Sequence, residues 1–286
     1  MNKNEIFSPK ELEIYEKIKG KVTDRKTVVD TPTAIVLGGQ PGAGKSSIYE
    51  TARKRFNGNI AELDIDKFRE YHPDSKELGK DPMTYGEKTH PFVSAVVDCL
   101  VEELGKENYN MIIESPMKNS RTAFWVHDTL TPLGCTIEAH IMATPKEVSW
   151  QGTIDRYNWQ LENGEIPRYV PKEFHDMCAE NITSALSEVY ESGKMANIMI
   201  YNRDGEILYD MSKEPEHNPA SILQEKIHGK EKMQSLSLSA QTDKLSMRAN
   251  QADRLKLSET PKSRLQMMDA ASLAKPNSKI KNDIER

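Results

Sequence analysis

Ala34-Ile35-Val36-Leu37-Gly38-Gly39-Gln40-Pro41-Gly42-Ala43-Gly44-Lys45-Ser46 joins an apolar run directly to a glycine-rich loop. The run reads as a buried strand and the loop as a P-loop, G-x-x-x-x-G-K-S, opening a helix. Without Cβ atoms in the way, successive backbone N–H groups can turn inward, so the loop and the first helical turn face an anion together. Lys45 adds a mobile charge for the β- and γ-phosphates, and the Ser46 hydroxyl is placed to ligate Mg²⁺. The expected ATP-binding set is Gly39, Gln40, Pro41, Gly42, Ala43, Gly44, Lys45, Ser46 and Ser47. A chance glycine-rich turn would show the motif alone; here strand, motif and helix coincide.

Outward from this junction the pattern alternates. On the N-terminal side, Ser8-Pro9-Lys10-Glu11 has a cap serine, a proline at the first helical position and a reciprocating glutamate. A helix carrying Leu12, Tyr15 and Ile18 should start there and stop near Gly20. Downstream, a helix through Ile48 and Ala52 leads to a short strand, Ile60 to Leu63. Val93, Val96, Val97, Leu100, Val101 and Leu104 then recur at helical spacing before the strand Met111 to Glu114. A helix near Ala123 to Leu130, a strand from Ile137 to Met142 and a cap at Thr144-Pro145-Lys146-Glu147 follow. Asn197 to Tyr201 and Glu206 to Tyr209 flank an Asp204-Gly205 pair, the mark of a hairpin. Such alternation implies an α/β fold, a P-loop kinase-like parallel sheet covered by helices on both faces. We expect an N-terminal helical segment over 1–30 and a P-loop domain over 31–212. A polar tail, helical or disordered, is expected over 213–286, where Lys, Glu, Ser, Gln and Asn dominate.

The 286 residues carry 39 Lys and Arg against 44 Asp and Glu, a net charge of -5. No broad electropositive surface is implied, so a polynucleotide substrate is disfavoured. No apolar run approaches the roughly 18 residues that cross a bilayer, so the expected localisation is soluble and cytoplasmic, with no membrane partner. Cys99, Cys135 and Cys178 fit neither a disulfide framework nor a zinc pattern and read as buried or idle thiols.

A P-loop alone does not name a reaction; the base and the cations do. Asp66, just past a strand end, is placed on the carboxyl edge where ligands collect in open α/β sheets, beside the P-loop if the two strands are neighbours. It could accept a proton from an acceptor hydroxyl, or it could merely N-cap a helix starting at Lys67. Glu114 ends the next strand and could organise Mg²⁺ or hold an acceptor hydroxyl; a solvated strand end is the plain alternative. Asp64 is a weaker Mg²⁺ candidate. Arg156 and Arg168 bracket Trp159 to Pro167, whose Glu162-Asn163-Gly164 should break a helix and form a lid around 156–171. Singly, each arginine could be a solvated surface group. Lys118 is a further phosphate or substrate contact.

With these residues in place, the chain from Thr31 to Asp210 resembles the zeta toxins of bacterial epsilon/zeta toxin–antitoxin systems. Pro32-Thr33-Ala34 running into Leu37-Gly38-Gly39-Gln40-Pro41-Gly42 is similar to that family's entry to its P-loop. Asp64-Ile65-Asp66-Lys67-Phe68 with His72-Pro73 is similar to its catalytic-aspartate segment. Gly152-Thr153-Ile154-Asp155-Arg156-Tyr157 and Arg168-Tyr169-Val170-Pro171-Lys172 with His175-Asp176 are similar to its lid segments. The resemblance implies a kinase moving the ATP γ-phosphate to the 3′-hydroxyl of the amino sugar in UDP-N-acetylglucosamine, a toxin that starves cell-wall synthesis. It implies Asp66 as general base, Lys45, Arg156 and Arg168 on the phosphates, Ser46 on the metal, and Glu114 and Asp98 as substrate-side acids. It also implies an epsilon-type antitoxin partner covering the nucleotide site. The chain departs from the pattern at Ser115-Pro116-Met117-Lys118, where Lys118 replaces a planar arginine fork with a point charge. Two other readings stay open at this point: a phosphotransferase for another nucleotide or small hydroxylated molecule, and a non-enzymatic nucleotide-gated module.

Overall fold

The computed structural model describes residues 3–228, and the expected tail beyond 228 lies outside the described residues. Six strands form one sheet: β1 (Thr33–Gly38), β2 (Ala61–Leu63), β3 (Met111–Ser115), β4 (Thr136–Met142), β5 (Asn197–Tyr201) and β6 (Ile207–Asp210). Their order is β2-β3-β1-β4-β5-β6. The first five run parallel, and β6 returns antiparallel beside β5 through the expected hairpin, with Gly205 at φ 83°. Such a turn favours a residue without Cβ.

Strand alternation sends β1 into two cores. Ile35 and Leu37 pack with Ile48, Tyr49 and Ala52 of α3 (Ser46–Arg55). Ala34 and Val36 face the larger core on the opposite side of the sheet. That core draws on α2 (Pro9–Thr23), α6 (Pro82–Lys106), α7 (Arg121–Leu130) and α9 (Lys172–Glu191). Both faces being covered explains why the parallel strands read as continuous apolar runs. Three short helices complete the first half: α1 (Lys3–Ile6), α4 (Ile65–Phe68) and α5 (Ser75–Leu78). The second half adds α8 (Lys146–Glu162) and α10 (Ala220–His228).

The capping box at Ser8 forms: the Glu11 amide donates to Ser8 Oγ, and the Ser8 amide donates to Glu11 Oε2 at 2.9 Å. α2 nevertheless runs through Gly20 to Thr23. An exposed glycine costs a helix only about 1 kcal/mol, and burial of Tyr15 and Ile18 on the same helix outweighs it. Packing also continues beyond residue 212. Leu223 and Ile227 of α10 are buried in the main core, and Asn218 Nδ2 donates to Ser187 Oγ at 3.0 Å. Cys99, Cys135 and Cys178 are buried and unpaired. Among the described residues no helix is long and apolar enough to cross a membrane.

Candidate functional site

At the carboxyl ends of the strands a cavity of about 750 Å³ opens, within the size range of a small-ligand site. Gly42, Ala43, Gly44, Lys45 and Ser46 line one side, Asp64, Asp66 and Glu114 another, and Arg156 and Arg168 close over it. The P-loop is wedged against α8. A β-carbon on Gly42, whose φ is 75°, would stand 2.0 Å from the Ser149 carbonyl oxygen and 2.7 Å from the Thr153 nitrogen. Only glycine fits there. Fully buried Gln40 adds a polar clamp, donating from Nε2 to the Thr144 carbonyl at 2.7 Å. The Thr144 hydroxyl donates to the Ala43 carbonyl at 2.7 Å. Thr144 was expected to cap α8; it ties that helix's approach to the P-loop instead, and Pro145 stands at the N-cap with no side-chain bond.

Lys45 folds over its own loop, donating to the Gly39 carbonyl at 2.9 Å and lying 3.2 Å from Glu114 Oε1. The Tyr49 hydroxyl donates to Glu114 Oε2 at 3.4 Å, and burial pushes the Tyr49 phenol far above its ordinary range. Glu114 is thus a paired, half-buried carboxylate and not a solvated strand end.

Asp66 differs from expectation in how it is placed. β2 is not the P-loop strand's neighbour, since β3 intervenes. Nor does Asp66 cap a helix: Asp64 is the N-cap of α4, accepting from the Asp66 amide at 3.0 Å, and Asp66 sits in the first turn. The cap begins two residues earlier than read, and the turn it fixes carries Asp66 beyond the end of β2 to the cavity. There three guanidinium groups meet its carboxylate. Arg69 Nε lies 3.2 Å from Oδ1 and Arg156 Nη1 3.3 Å from Oδ2, and Arg168 Nη1 pairs with Oδ2 as well.

The three arginines are held differently. Arg69 is buried and anchored by donating to the Gly86 carbonyl at 2.7 Å and to Thr89 Oγ1 at 2.8 Å. Sequence reading missed it; its signal was the three-residue spacing from Asp66, which places both on one helical face. Arg168 follows the break at Glu162-Asn163-Gly164, where Gly164 adopts φ 70°. Its amide donates to Gln160 Oε1 at 3.0 Å, and Ile166 packs over Gly79, fixing the loop against the end of α5. Burial lowers the Arg168 guanidinium to about 10 and lowers Arg69 and Arg156 in the same direction. All three stay charged at neutral pH. Arg156 also keeps Nε and Nη2 buried without a hydrogen-bond partner.

Those unsatisfied donors, with three guanidinium charges around one carboxylate, suit a phosphate-bearing ligand, because an incoming anion would satisfy them. Ser46 lies beside Lys45 on the cavity wall, where its hydroxyl could reach a phosphate-bound Mg²⁺. Gly39, Gln40, Pro41 and Ser47 shape the loop without lining the cavity. Asp98 and Lys118 are not brought to it. Asp98 lies more than three turns further along α6 than the cavity-lining Tyr85, roughly 20 Å at ~1.5 Å per residue, and burial beside Glu102 pushes its carboxyl up. Lys118 follows Met117, whose φ of 50° turns the chain, and stands 5.9 Å from the Phe174 ring centre. Arg203, at the β5–β6 hairpin, lines the cavity and was read only as part of a turn.

A model of the family described as Zeta toxin matches residues 19–214. Toxin PezT of Streptococcus pneumoniae serotype 4 is 35% identical over 203 residues, covering 69% of this chain and 79% of that protein. Toxin zeta of Enterococcus hirae is 31% identical over 215 residues, 72% of this chain and 74% of that one. Among solved structures, that of the PezAT chromosomal toxin–antitoxin system of Streptococcus pneumoniae superposes with a TM-score of 0.73 at 27% identity, over 84% of this chain and 96% of that one. The AvrRxo1-ORF1:-ORF2 complex with ATP shares the fold alone, with a TM-score of 0.56 at 15% identity over 77% and 73% of the two chains. By the extent of the family match and the identity to its members, this chain belongs to the zeta toxin family.

Proposed function

We propose that the protein is an Mg-ATP-dependent kinase that phosphorylates the 3′-hydroxyl of the amino sugar of UDP-N-acetylglucosamine and acts as a toxin by blocking cell-wall synthesis. The observation that carries the reading is the convergence of Lys45, Asp66, Arg156 and Arg168 on one cavity, with Arg156 donors still unsatisfied. In this mechanism the triphosphate lies along the P-loop and its γ-phosphoryl takes Arg156 and Arg168 from Asp66. Asp66, still held by Arg69, accepts the proton of the acceptor hydroxyl as the oxygen attacks phosphorus and the bond to the β-phosphate oxygen breaks. Lys45 and the P-loop amides meet the charge left on ADP, and the two arginines meet the charge on the equatorial oxygens. Bound Mg²⁺ would neutralise the phosphate oxygens, with Ser46 the side chain to hold it. In this mechanism Glu114 orients Lys45, 3.2 Å from its carboxylate, and holds the acceptor hydroxyl.

The solved PezAT structure is of a toxin–antitoxin system, and by that likeness we propose an antitoxin that covers the nucleotide site. The function is tested by an acceptor panel of sugar nucleotides, nucleosides and small hydroxylated molecules, followed by phosphorus NMR. A 3′-phosphorylated UDP-N-acetylglucosamine is expected; phosphorylation of another acceptor only would assign a different substrate to the same machinery. ATP binding with no transfer to any of them would contradict it.

A further inference from the structure

The site described so far accounts for the phosphoryl-transfer end of a nucleotide but not for its other end. We propose that Arg203 is the residue that grips the nucleoside, stacking its guanidinium on the base. This rests on the reading of the cavity as an ATP site.

The placement follows from α3. Tyr49 and Arg53, with Ser46 and Glu50, present one face of that helix to the cavity beside Asp64, Asp66 and Lys67. Ser47 and Thr51, one helical turn apart, form another face, and the β5–β6 turn packs there: a β-carbon on Gly205 would lie 3.7 Å from Ser47 Cβ and 3.9 Å from Thr51 Oγ1. From this turn Arg203 reaches back over the P-loop. A β-carbon on Gly44 would stand 3.1 Å from Arg203 Nε and 3.7 Å from its Cζ, so the guanidinium rests against the glycine. Asp66 follows β2 and Arg203 follows β5, on opposite sides of the P-loop strand β1 in the sheet order, and Arg203 lies against Gly44. With its γ end at Asp66 and its phosphates along the P-loop, a triphosphate would send its nucleoside toward the β4–β5 side of β1, which Arg203 borders.

The turn is built to present this side chain. Asn202 Oδ1 accepts from the amides of Asp204 at 3.0 Å and Glu206 at 2.9 Å, and Asn202 Nδ2 donates to Glu206 Oε2 at 2.7 Å. Backbone bonds from Asn202 to Glu206 and from Gly205 to Asn202 close the loop. Arg203 itself is exposed, and its guanidinium makes no hydrogen bond or ion pair with a described residue. A planar cation on a preorganised turn, open on its outer face, suits stacking on an aromatic base.

The experiment measures binding of ATP and of inorganic tripolyphosphate, each with Mg²⁺, to the full chain by calorimetry. Arg203→Ala should weaken ATP about tenfold and leave tripolyphosphate unchanged, and Arg203→Lys should not restore ATP affinity, because an ammonium lacks the flat face. Equal loss for both ligands, restoration by lysine, or unchanged ATP binding would overturn the proposal. A wild-type chain that binds neither ligand would instead overturn the ATP-site reading beneath it.

Discussion

Asp66 faces three guanidinium groups, yet among the described residues only that of Arg69 has further bonds, to the Gly86 carbonyl and Thr89. The other two approach from α8 and the loop behind it, and in the proposed mechanism they are the ones the phosphate takes. Asp66→Asn therefore removes the proposed base without removing the cations, and transfer should fall about 10²–10⁴-fold while ATP affinity is kept or strengthened; stopped-flow turnover and calorimetry separate the two effects. Loss of ATP binding in that variant would mean that the carboxylate is structural. Arg168→Ala should lower turnover about 10²–10³-fold, and Arg168→Lys should recover little, since a point charge cannot reproduce the fork.

The P-loop functions as an element because α8 and the Thr144 segment press on it. Gly42→Ala places a methyl group inside the Ser149 carbonyl's contact distance at a positive φ, so it should abolish ATP binding and lower the melting temperature together. A variant that melts earlier but binds normally would separate the loop from the helix. Much of this element scale was legible in the sequence: the P-loop, the apolar strand runs, the capping box at Ser8 and the helix break at Gly164 are local, and their physics is written in neighbouring residues. What was not legible depends on tertiary packing. Tyr49 and Arg203 become site residues only when α3 and the hairpin meet at the sheet edge. Asp98 has the right chemistry at a helical position too far along α6. Asp66 was assigned to the right edge for an incomplete reason, because the α4 turn capped by Asp64 delivers it and not adjacency of its strand to β1.

Across the molecule as a whole, the sheet carries a buried charge cluster outside the cavity lining that ties stability to pH. Burial pushes Glu138 up, but hydrogen bonds from Arg55 and His140 outweigh it and bring the carboxyl to about 2 from an ordinary 4.5. A depressed carboxylate stabilises the fold fully above its unfolded pKa and loses that contribution as pH falls through its folded one. Glu138→Gln should thus destabilise the protein by about 1–3 kcal/mol at neutral pH and flatten the decline in stability between about pH 4.5 and 2; denaturant titrations across that window check it, and an unchanged acid limb would assign the decline to other groups. What the cavity does with a nucleotide decides the proposed function. Its most direct measurement follows radiolabel from the ATP γ-phosphate into UDP-N-acetylglucosamine with the wild-type chain and with Asp66→Asn. Labelled sugar nucleotide is expected from the wild type and essentially none from the variant; comparable labelling by both would contradict catalysis by Asp66.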